Sequence, residues 1–184
     1  MITTTIIIEG PPASGKTTLI SKLSSQKNPL INVIPEFGET KLGEFIRQNI
    51  KKGSICNSPI IETYLLFCNL LQKQQNIKKG KVNIFDTYLD SIRAHQIPKI
   101  GKNKYLKVEK LFSKNFINPD FIFYLLPEKE IYFRRLYSRQ MIKNVAEKNF
   151  FGRVFNYYKK FDYLTSYQAL NNINKIIKER HGQL

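Results

Sequence analysis

Short apolar, β-branched runs alternate along the chain with longer amphipathic segments, a pattern that predicts strands separated by helices. The runs that predict strands are residues 3–9, 31–35, 82–85 and 121–126, with a weaker fifth near 163–167. Runs that are hydrophobic throughout are typical of parallel strands covered on both faces. The alternation therefore predicts an α/β fold with a parallel sheet and right-handed crossovers.

The segments around and between these strands predict the helices. They cover residues 16–25, 41–52, 58–78, 88–97, 104–116, 128–139, 147–162 and 173–180. Gly80 is expected to end the third helix, and Pro98 with Gly101 is expected to break the fourth. Because no internal repeat or linker rich in Pro, Gly or Ser divides the chain, we expect a single domain over residues 1–184.

A phosphate-binding motif follows directly on the first strand. Residues 10–17 read Gly-Pro-Pro-Ala-Ser-Gly-Lys-Thr and fit the pattern G-x-x-x-x-G-K-[ST] in its proper place between a strand and a helix. Backbone amides of the loop would bind phosphate oxygens, Lys16 would reach the β- and γ-phosphates, and Thr17 would ligate Mg²⁺. The candidate nucleotide-binding residues are Gly10, Pro11, Pro12, Ala13, Ser14, Gly15, Lys16, Thr17 and Thr18. The motif indicates binding of a nucleoside triphosphate and leaves the reaction open.

The residues after the fourth strand favour a small kinase over other proteins with this loop. Pro127-Glu128-Lys129-Glu130 does not supply the Asn-Lys-x-Asp type of element that small GTPases use to recognise guanine. A motor or clamp ATPase would usually be longer and carry several acidic residues after a strand. In a small kinase the second substrate lies across the carboxyl edge of the sheet, where open α/β sheets bind their ligands.

Polar side chains stand at the ends of the later strands. Glu36 follows the second strand, where it could orient or deprotonate an acceptor hydroxyl or bind metal, and Asp86 follows the third, where it would hold Mg²⁺ through water. The basic helix after the fourth strand is expected to form a lid, approximately residues 134–149, that closes on the phosphates. The candidate catalytic residues are Lys16, Glu36, Asp86, Arg135 and Arg139, and the candidate metal ligands are Thr17 and Asp86.

The order and spacing of these motifs resemble the thymidylate kinase family from residue 5 to about residue 165. Residues 35–40, Pro-Glu-Phe-Gly-Glu-Thr, resemble the family's Glu-Pro-Gly-Gly-Thr stretch. Residues 62–67 resemble the helix whose Phe stacks on the acceptor base, and residues 86–91 resemble the Asp-Arg-Tyr-x-x-Ser motif. The resemblance implies a three-layer P-loop NTPase fold with a five-stranded parallel sheet, ATP and Mg²⁺, often a homodimer, and phosphoryl transfer to a nucleoside monophosphate.

The resemblance also assigns residues to the acceptor side. It would place Phe67 against the base, with plain core packing as the other interpretation, and Arg47 near the acceptor. The acceptor-binding candidates are Glu36, Arg47, Phe67, Thr87, Tyr88, Ser91 and Arg93.

Three positions depart from the family pattern. Pro12 stands where the loop usually carries an acidic residue, Thr87 replaces the Arg that grips the acceptor phosphate, and Leu71 replaces the Arg that reads the thymine edge. All three changes remove acceptor contacts, while the ATP side is intact. Arg93 or Lys41, near the same strand ends, could compensate for the loss of a bidentate Arg–phosphate contact.

These departures keep two further functions open. Residues 33–36, Val-Ile-Pro-Glu, also resemble deoxynucleoside kinases, whose Glu acts as a base on a sugar hydroxyl. The acceptor could therefore be a deoxynucleoside or a non-nucleotide small molecule. Alternatively, the chain could be a nucleotide-binding protein whose acceptor site has decayed.

Composition adds expectations about partners and compartment. The 184 residues carry 30 Lys and Arg against 14 Asp and Glu, for a formal net charge of +16. Because no stacked-aromatic RNA motif accompanies this charge, solvated lysines or attraction of phosphorylated ligands are favoured over nucleic-acid binding. Two cysteines are too few for a disulfide framework or a zinc cluster, so we expect buried free thiols and a cytoplasmic location. No apolar run approaches the ~20 residues of a membrane span, and the N-terminus does not resemble a secretory signal.

Overall fold

The computed structural model describes residues 2–51 and 56–182. Its centre is a five-stranded parallel sheet in the order β2-β3-β1-β4-β5. The strands are β1 (Thr4–Glu9), β2 (Ile31–Ile34), β3 (Val82–Asp86), β4 (Phe121–Leu125) and β5 (Tyr163–Leu164). All six residues of β1 are buried, because β1 is the central strand and helices cover both of its faces.

Helices flank the sheet on both faces and confirm the three-layer fold. In the described part of the chain they are α1 (Lys16–Ser25), α2 (Lys41–Lys51), α3 (Pro59–Gln74), α4 (Leu89–Ile100), α5 (Lys102–Phe112), α6 (Lys129–Ser138), α7 (Val145–Tyr158) and α8 (Ser166–His181). A 3₁₀ turn at Ser113–Asn115 follows α5. None of the described helices has the length and apolar character needed to cross a bilayer.

Two of the differences from the predicted helix bounds have local reasons. The fourth helix continues through Pro98 to Ile100, with Gly101 as its C-cap, because a proline near the end of a helix removes one late hydrogen bond without stopping the last turn. The last helix begins at Ser166, seven residues before the prediction, because Thr165 and Gln168 form a capping box. The predicted end of the second helix, at residue 52, lies outside the described residues.

The core lies in separate layers on the two faces of the sheet. Ile6 and Ile8 of β1 pack toward α1 and α8, whereas Ile7 packs with Phe67 and Tyr105 on the opposite face. A third apolar cluster joins α6 and α7. The expectation of buried thiols was wrong, since Cys68 is exposed and Cys56 is half-buried.

The strand register brings the candidate site residues to one edge. Ile8 pairs with Asp86, and Ile34 pairs with Phe85, so β1, β2 and β3 end at the same level. The phosphate-binding loop, Glu36 and Asp86 therefore leave the sheet side by side.

Candidate active site

The loop from Gly10 to Thr17 connects β1 to α1 and has the conformation of a phosphate cradle. Gly15 adopts a φ of 107°, and a Cβ there would lie 2.6 Å from Ser166 Oγ, so glycine is required. The Lys16 ammonium donates hydrogen bonds to the carbonyl oxygens of Gly10 and Pro11, at 2.7 and 3.1 Å. The lysine therefore folds back over the loop, where its charge would meet the oxygens of a bound phosphate.

Two carboxylates face Lys16 across the end of the sheet. Glu36 and Asp86 line the same cavity as Lys16 and Thr17. Glu36 is exposed to the cavity but surrounded by protein elsewhere, and this desolvation raises its pKa; the charge of Lys16 opposes the shift and that of Asp86 adds to it. Close packing holds the Glu36 loop, since a Cβ on Gly43 of α2 would lie 1.7 Å from the carbonyl oxygen of Phe37.

The residues at this edge fit a magnesium ion. Asp86 Oδ1 is buried and finds no hydrogen-bond partner among the described residues, as expected of an oxygen reserved for a ligand. Thr17 adds a hydroxyl to the same cavity. No group of three or more His, Cys, Asp or Glu in the described ranges could hold a metal by itself. Mg²⁺ suits such a site, because it usually takes one or two carboxylates and completes its shell with phosphates and water.

The buried ammonium of Lys73 joins the loops that carry these carboxylates. From α3 it donates to the backbone oxygens of Thr87 at 2.7 Å and of Glu36 and Asp86 at 3.1 Å each. Burial lowers the pKa of Lys73 to about 8, against the raising effect of the Glu36, Asp86 and Glu9 charges. Lys73 therefore brings positive charge to the cavity beside Thr87, where the family pattern has an arginine.

The cavity has a volume of about 560 Å³ and extends from the edge of the sheet into a slot between α3 and α4. One stripe of α3, at helical spacing, lines one wall: Glu62, Leu66, Asn69, Leu70 and Lys73. Side chains of α4 line the other wall: Ser91, Ile92, His95, Gln96 and Lys99. The volume lies within the range of small-molecule sites, and the carboxylates stand at one end of the slot.

The far end of the slot is polar and internally paired. Glu62 accepts hydrogen bonds from Gln96 Nε2, at 2.7 Å, and from the Lys99 ammonium. Thr63 donates to Gln96 Oε1 at 3.2 Å. These bonds fix the shape of the end wall.

Glu9 anchors α4 to the strand that precedes the phosphate-binding loop. Its Oε1 accepts the backbone N–H groups of Tyr88, Asp90 and Ser91 at 2.8, 3.0 and 3.3 Å, and its Oε2 accepts Tyr158 O–H at 3.1 Å. Burial, followed by the charge of Asp90, raises the pKa of Glu9 to about 7.

The basic helix α6 reaches the phosphate-binding loop. Arg135 Nη1 donates to the carbonyl oxygen of Ala13 at 3.0 Å. Arg139 lines the cavity, as do Met141, Phe150 and Phe151 from the segment that follows.

Most of the sequence-predicted site residues meet in this cavity. Those that line it are Gly10, Pro12, Ala13, Lys16, Thr17, Glu36, Asp86, Thr87, Tyr88, Ser91 and Arg139. Thr87 itself is buried with a φ of 65°.

Three residues that were expected on the acceptor side do not line the cavity. Phe67 is fully buried against Tyr105, Phe112 and Phe116, because its position on α3 faces the core. Its neighbour Leu66 faces the slot instead, one residue being about 100° of helix rotation.

The arginines expected on the acceptor side are engaged elsewhere. Arg47 is exposed on α2 and pairs with Glu44. Arg93 pairs with Asp90 and Glu109 and lines a separate cavity of about 250 Å³, so it does not replace the arginine missing at position 87. Lys41 lies exposed at the start of α2.

The sequence analysis assigned no site role to Glu9, Lys73 or His95. For Lys73 a signal was present, because it lies four residues after Asn69 and seven after Leu66 on the helix stripe that lines the slot. Nothing local marks Glu9, whose partners lie about eighty residues away in the chain.

Comparison with known proteins decides the family. The family model for thymidylate kinase matches residues 8–181. The chain belongs to the thymidylate kinase family. Two curated thymidylate kinases from strains of Staphylococcus epidermidis are each 26% identical over 201 residues, which covers 100% of this chain and 98% of theirs. The family assignment makes the protein a P-loop phosphotransferase of the ATP-dependent nucleotide-kinase class.

Solved structures show the same fold. The thymidylate kinase from Candida albicans has a TM-score of 0.70 at 24% identity, over 98% of this chain and 93% of that one. The thymidylate kinase from Ehrlichia chaffeensis has a TM-score of 0.69 at 18% identity, over 96% of this chain and 99% of that one.

Proposed function

We propose that the protein transfers the γ-phosphoryl group of ATP to thymidine monophosphate. One observation carries this proposal: a single cavity joins Lys16 and the carboxylates Glu36 and Asp86 to the slot between α3 and α4. A triphosphate bound to the loop and a nucleotide seated in the slot would meet at these carboxylates. Such positioning can supply much of the rate enhancement of phosphoryl transfer.

The phosphate-binding loop and the adjacent edge of the sheet would bind the phosphoryl donor, ATP. Loop amides and Lys16 would bind the phosphates of ATP, and Mg²⁺ would be held by Thr17 and Asp86. When bound there, Mg²⁺ neutralises charge that develops on the phosphates. Glu36, opposite Asp86, would orient the attacking oxygen of the acceptor.

Lys73 supplies charge for the acceptor phosphate. Its three ammonium protons are donated to three backbone oxygens, so none is left for a direct bond to the phosphate. Lys73 would instead attract the phosphate by its positive charge and hold the turn at Thr87 in place. Ser91 lines the same end of the slot and offers a hydroxyl group. The Tyr88 hydroxyl is bonded instead to Gln74 and to the backbone N–H of Ile117, so Tyr88 contributes only its surface to the slot. This arrangement compensates for the absence of arginine at position 87.

The whole chain would act as one kinase domain with a lid at approximately residues 134–149. Arg135 and Arg139 would bring positive charge to the transferring phosphoryl group, and Arg135 already contacts the loop through Ala13. Closure over the slot would exclude water from the reaction.

The protein would also form a homodimer, as the family resemblance implies. Ile61, Tyr64 and Cys68 form an exposed stripe at a spacing of three and four residues on the outward side of α3. A second copy packed against this stripe would bury it. Sedimentation equilibrium should give a dimer for the wild type and a monomer for Ile61→Lys; a monomeric wild type would contradict this part of the proposal.

The decisive experiment measures ADP formation from ATP and Mg²⁺ with a panel of nucleosides, nucleoside monophosphates and sugar alcohols. We expect the strongest stimulation by thymidine monophosphate and none in Lys16→Ala that retains the wild-type circular dichroism spectrum. Stimulation only by hydroxyl acceptors would replace the proposed substrate. Stimulation by no acceptor would point to a nucleotide-binding protein.

A further inference from the structure

His95 presents a fixed hydrogen-bond acceptor to the slot. Its Nδ1 lies 2.8 Å from the carbonyl oxygen of Ser91. A carbonyl oxygen only accepts, so Nδ1 carries the proton and Nε2 keeps a lone pair. Burial lowers the pKa of His95 to about 4, so the ring is neutral at physiological pH.

The polar neighbours of His95 are already engaged. Gln96 and Lys99 bond to Glu62, and Thr63 bonds to Gln96. In the described part of the chain no group donates a hydrogen bond to His95 Nε2. The imidazole is therefore an acceptor that a molecule in the slot can use.

His95 lies at the depth where the base of an acceptor nucleotide would sit. It follows Tyr88 by seven residues along α4, about 10 Å of helix. Tyr88 and Thr87 mark the end beside the carboxylates, and the charge of Lys16 still contributes to lowering the pKa of His95. With its phosphate at Thr87, a nucleotide lying along the slot would bring its base to this level.

The walls at this level suit a flat ring. Leu66 and Leu70 of α3 face Ile92 of α4 across the slot, and the Phe150 ring centroid lies 5.9 Å from that of His95. Apolar surfaces hold the faces of a base, and the polar edge then decides which base fits.

We propose that His95 Nε2 selects the acceptor base by accepting the ring N–H of thymine or uracil. The inference rests on the proposed function, because it requires a nucleotide in the slot. Thymine and uracil carry a hydrogen on N3, whereas N3 of cytosine carries a lone pair. With cytosine, the lone pair on N3 would face the lone pair on His95 Nε2, and neither atom would have a hydrogen-bond donor. Leaving buried polar groups unpaired in this way strongly weakens binding.

The experiment compares kcat/KM for dTMP, dUMP and dCMP in the wild type, His95→Leu and His95→Gln. We expect the wild type to favour dTMP over dCMP by about 100-fold or more, and His95→Leu to reduce this ratio to about tenfold or less through loss of dTMP activity. His95→Gln should gain dCMP activity, since an amide offers either a donor or an acceptor. His181→Leu, at the other histidine of the chain, is the control and should keep the wild-type ratio.

Calorimetric titration with dTMP and dCMP, without ATP, measures base recognition apart from transfer. The same change of preference in binding would support the assignment. Turnover of nucleotides with an unchanged dTMP to dCMP ratio in both folded variants would overturn the role of His95 and leave the proposed function standing. Absence of turnover and of binding with every nucleoside monophosphate would overturn both.

Discussion

The buried Lys73 ammonium lies 2.7 Å from the carbonyl oxygen of Thr87. Thr87 is a β-branched residue with a φ of 65°, a conformation that costs about 1–3 kcal/mol. Its N–H donates to the carbonyl oxygen of Ile8 at 3.0 Å, which fixes the turn from the other side. The two contacts hold the strand end where Asp86 emerges.

Lys73→Met should lower kcat about 10–100-fold, because the Glu36 and Asp86 loops would lose their shared donor and catalysis is sensitive to small displacements. The free energy of unfolding should fall by about 1–3 kcal/mol, since buried carbonyl oxygens lose their partner. Steady-state kinetics and urea unfolding measure the two effects. Lys79→Met, in the exposed loop after α3, is the control. Wild-type kcat in a folded Lys73→Met would remove this positioning role.

Glu36→Gln should reduce transfer to a hydroxyl acceptor more than transfer to a phosphate acceptor. A hydroxyl loses a proton on attack and benefits from a base, whereas a nucleotide phosphate is already ionised at neutral pH. Parallel assays with thymidine and thymidine monophosphate at saturating ATP would give the two losses. Equal losses would exclude Glu36 as a base.

Arg135→Gln should lower kcat by about tenfold or more, because α6 would lose its contact with Ala13 and the phosphates would lose a charge. The adjacent Arg134 is exposed on the same helix, so Arg134→Gln provides a control of matched charge. Single-turnover measurements would separate the chemical step from product release. Equal effects of the two substitutions would show that only the overall charge of the helix matters.

Stability should depend on the ionisation of Glu9. The pKa of Glu9 is raised from 4.5 to about 7, so the folded protein holds its proton across a range in which the unfolded chain has released it. The free energy of unfolding should therefore fall as pH rises from about 4.5 to about 7. In Glu9→Gln this fall should shrink by an amount on the order of 1–3 kcal/mol.

Urea unfolding at several pH values from 5 to 8 tests this dependence. Glu130→Gln, at an exposed glutamate of α6, controls for the loss of one charge and should keep the wild-type slope. Identical slopes in the wild type and Glu9→Gln would contradict the buried ionisation.

The sequence allowed prediction of the site residues that come directly after a strand. Lys16, Thr17, Glu36 and Asp86 were predicted together because parallel strands end at one edge, and the register of β1 with β3 places them there. The family assignment and the five-stranded fold confirmed these expectations of architecture and class. Roles for individual residues stay proposals.

The remaining site residues could not be predicted, because their positions depend on the rotation of a helix or on contacts between distant parts of the chain. Phe67 satisfied the motif resemblance but faces the core, because a shift of one residue separates the cavity face of α3 from its buried face. The positioning role of Lys73 depends on hydrogen bonds to carbonyl oxygens that lie 13, 14 and 37 residues away in the chain. No local sequence pattern specifies such distant partners. His95 required its Ser91 contact before its acceptor atom could be identified.

The hydrogen bonds from the start of α4 to Glu9 tie the binding regions proposed for ATP and for the phosphate acceptor to the same strand. The strand that leads into the phosphate-binding loop also carries the carboxylate that secures one wall of the slot. A shift of that wall would therefore move the loop with it, and the two substrates would stay aligned. Acceptors of different size would then be accommodated by movement of the α3 wall and of the proposed lid.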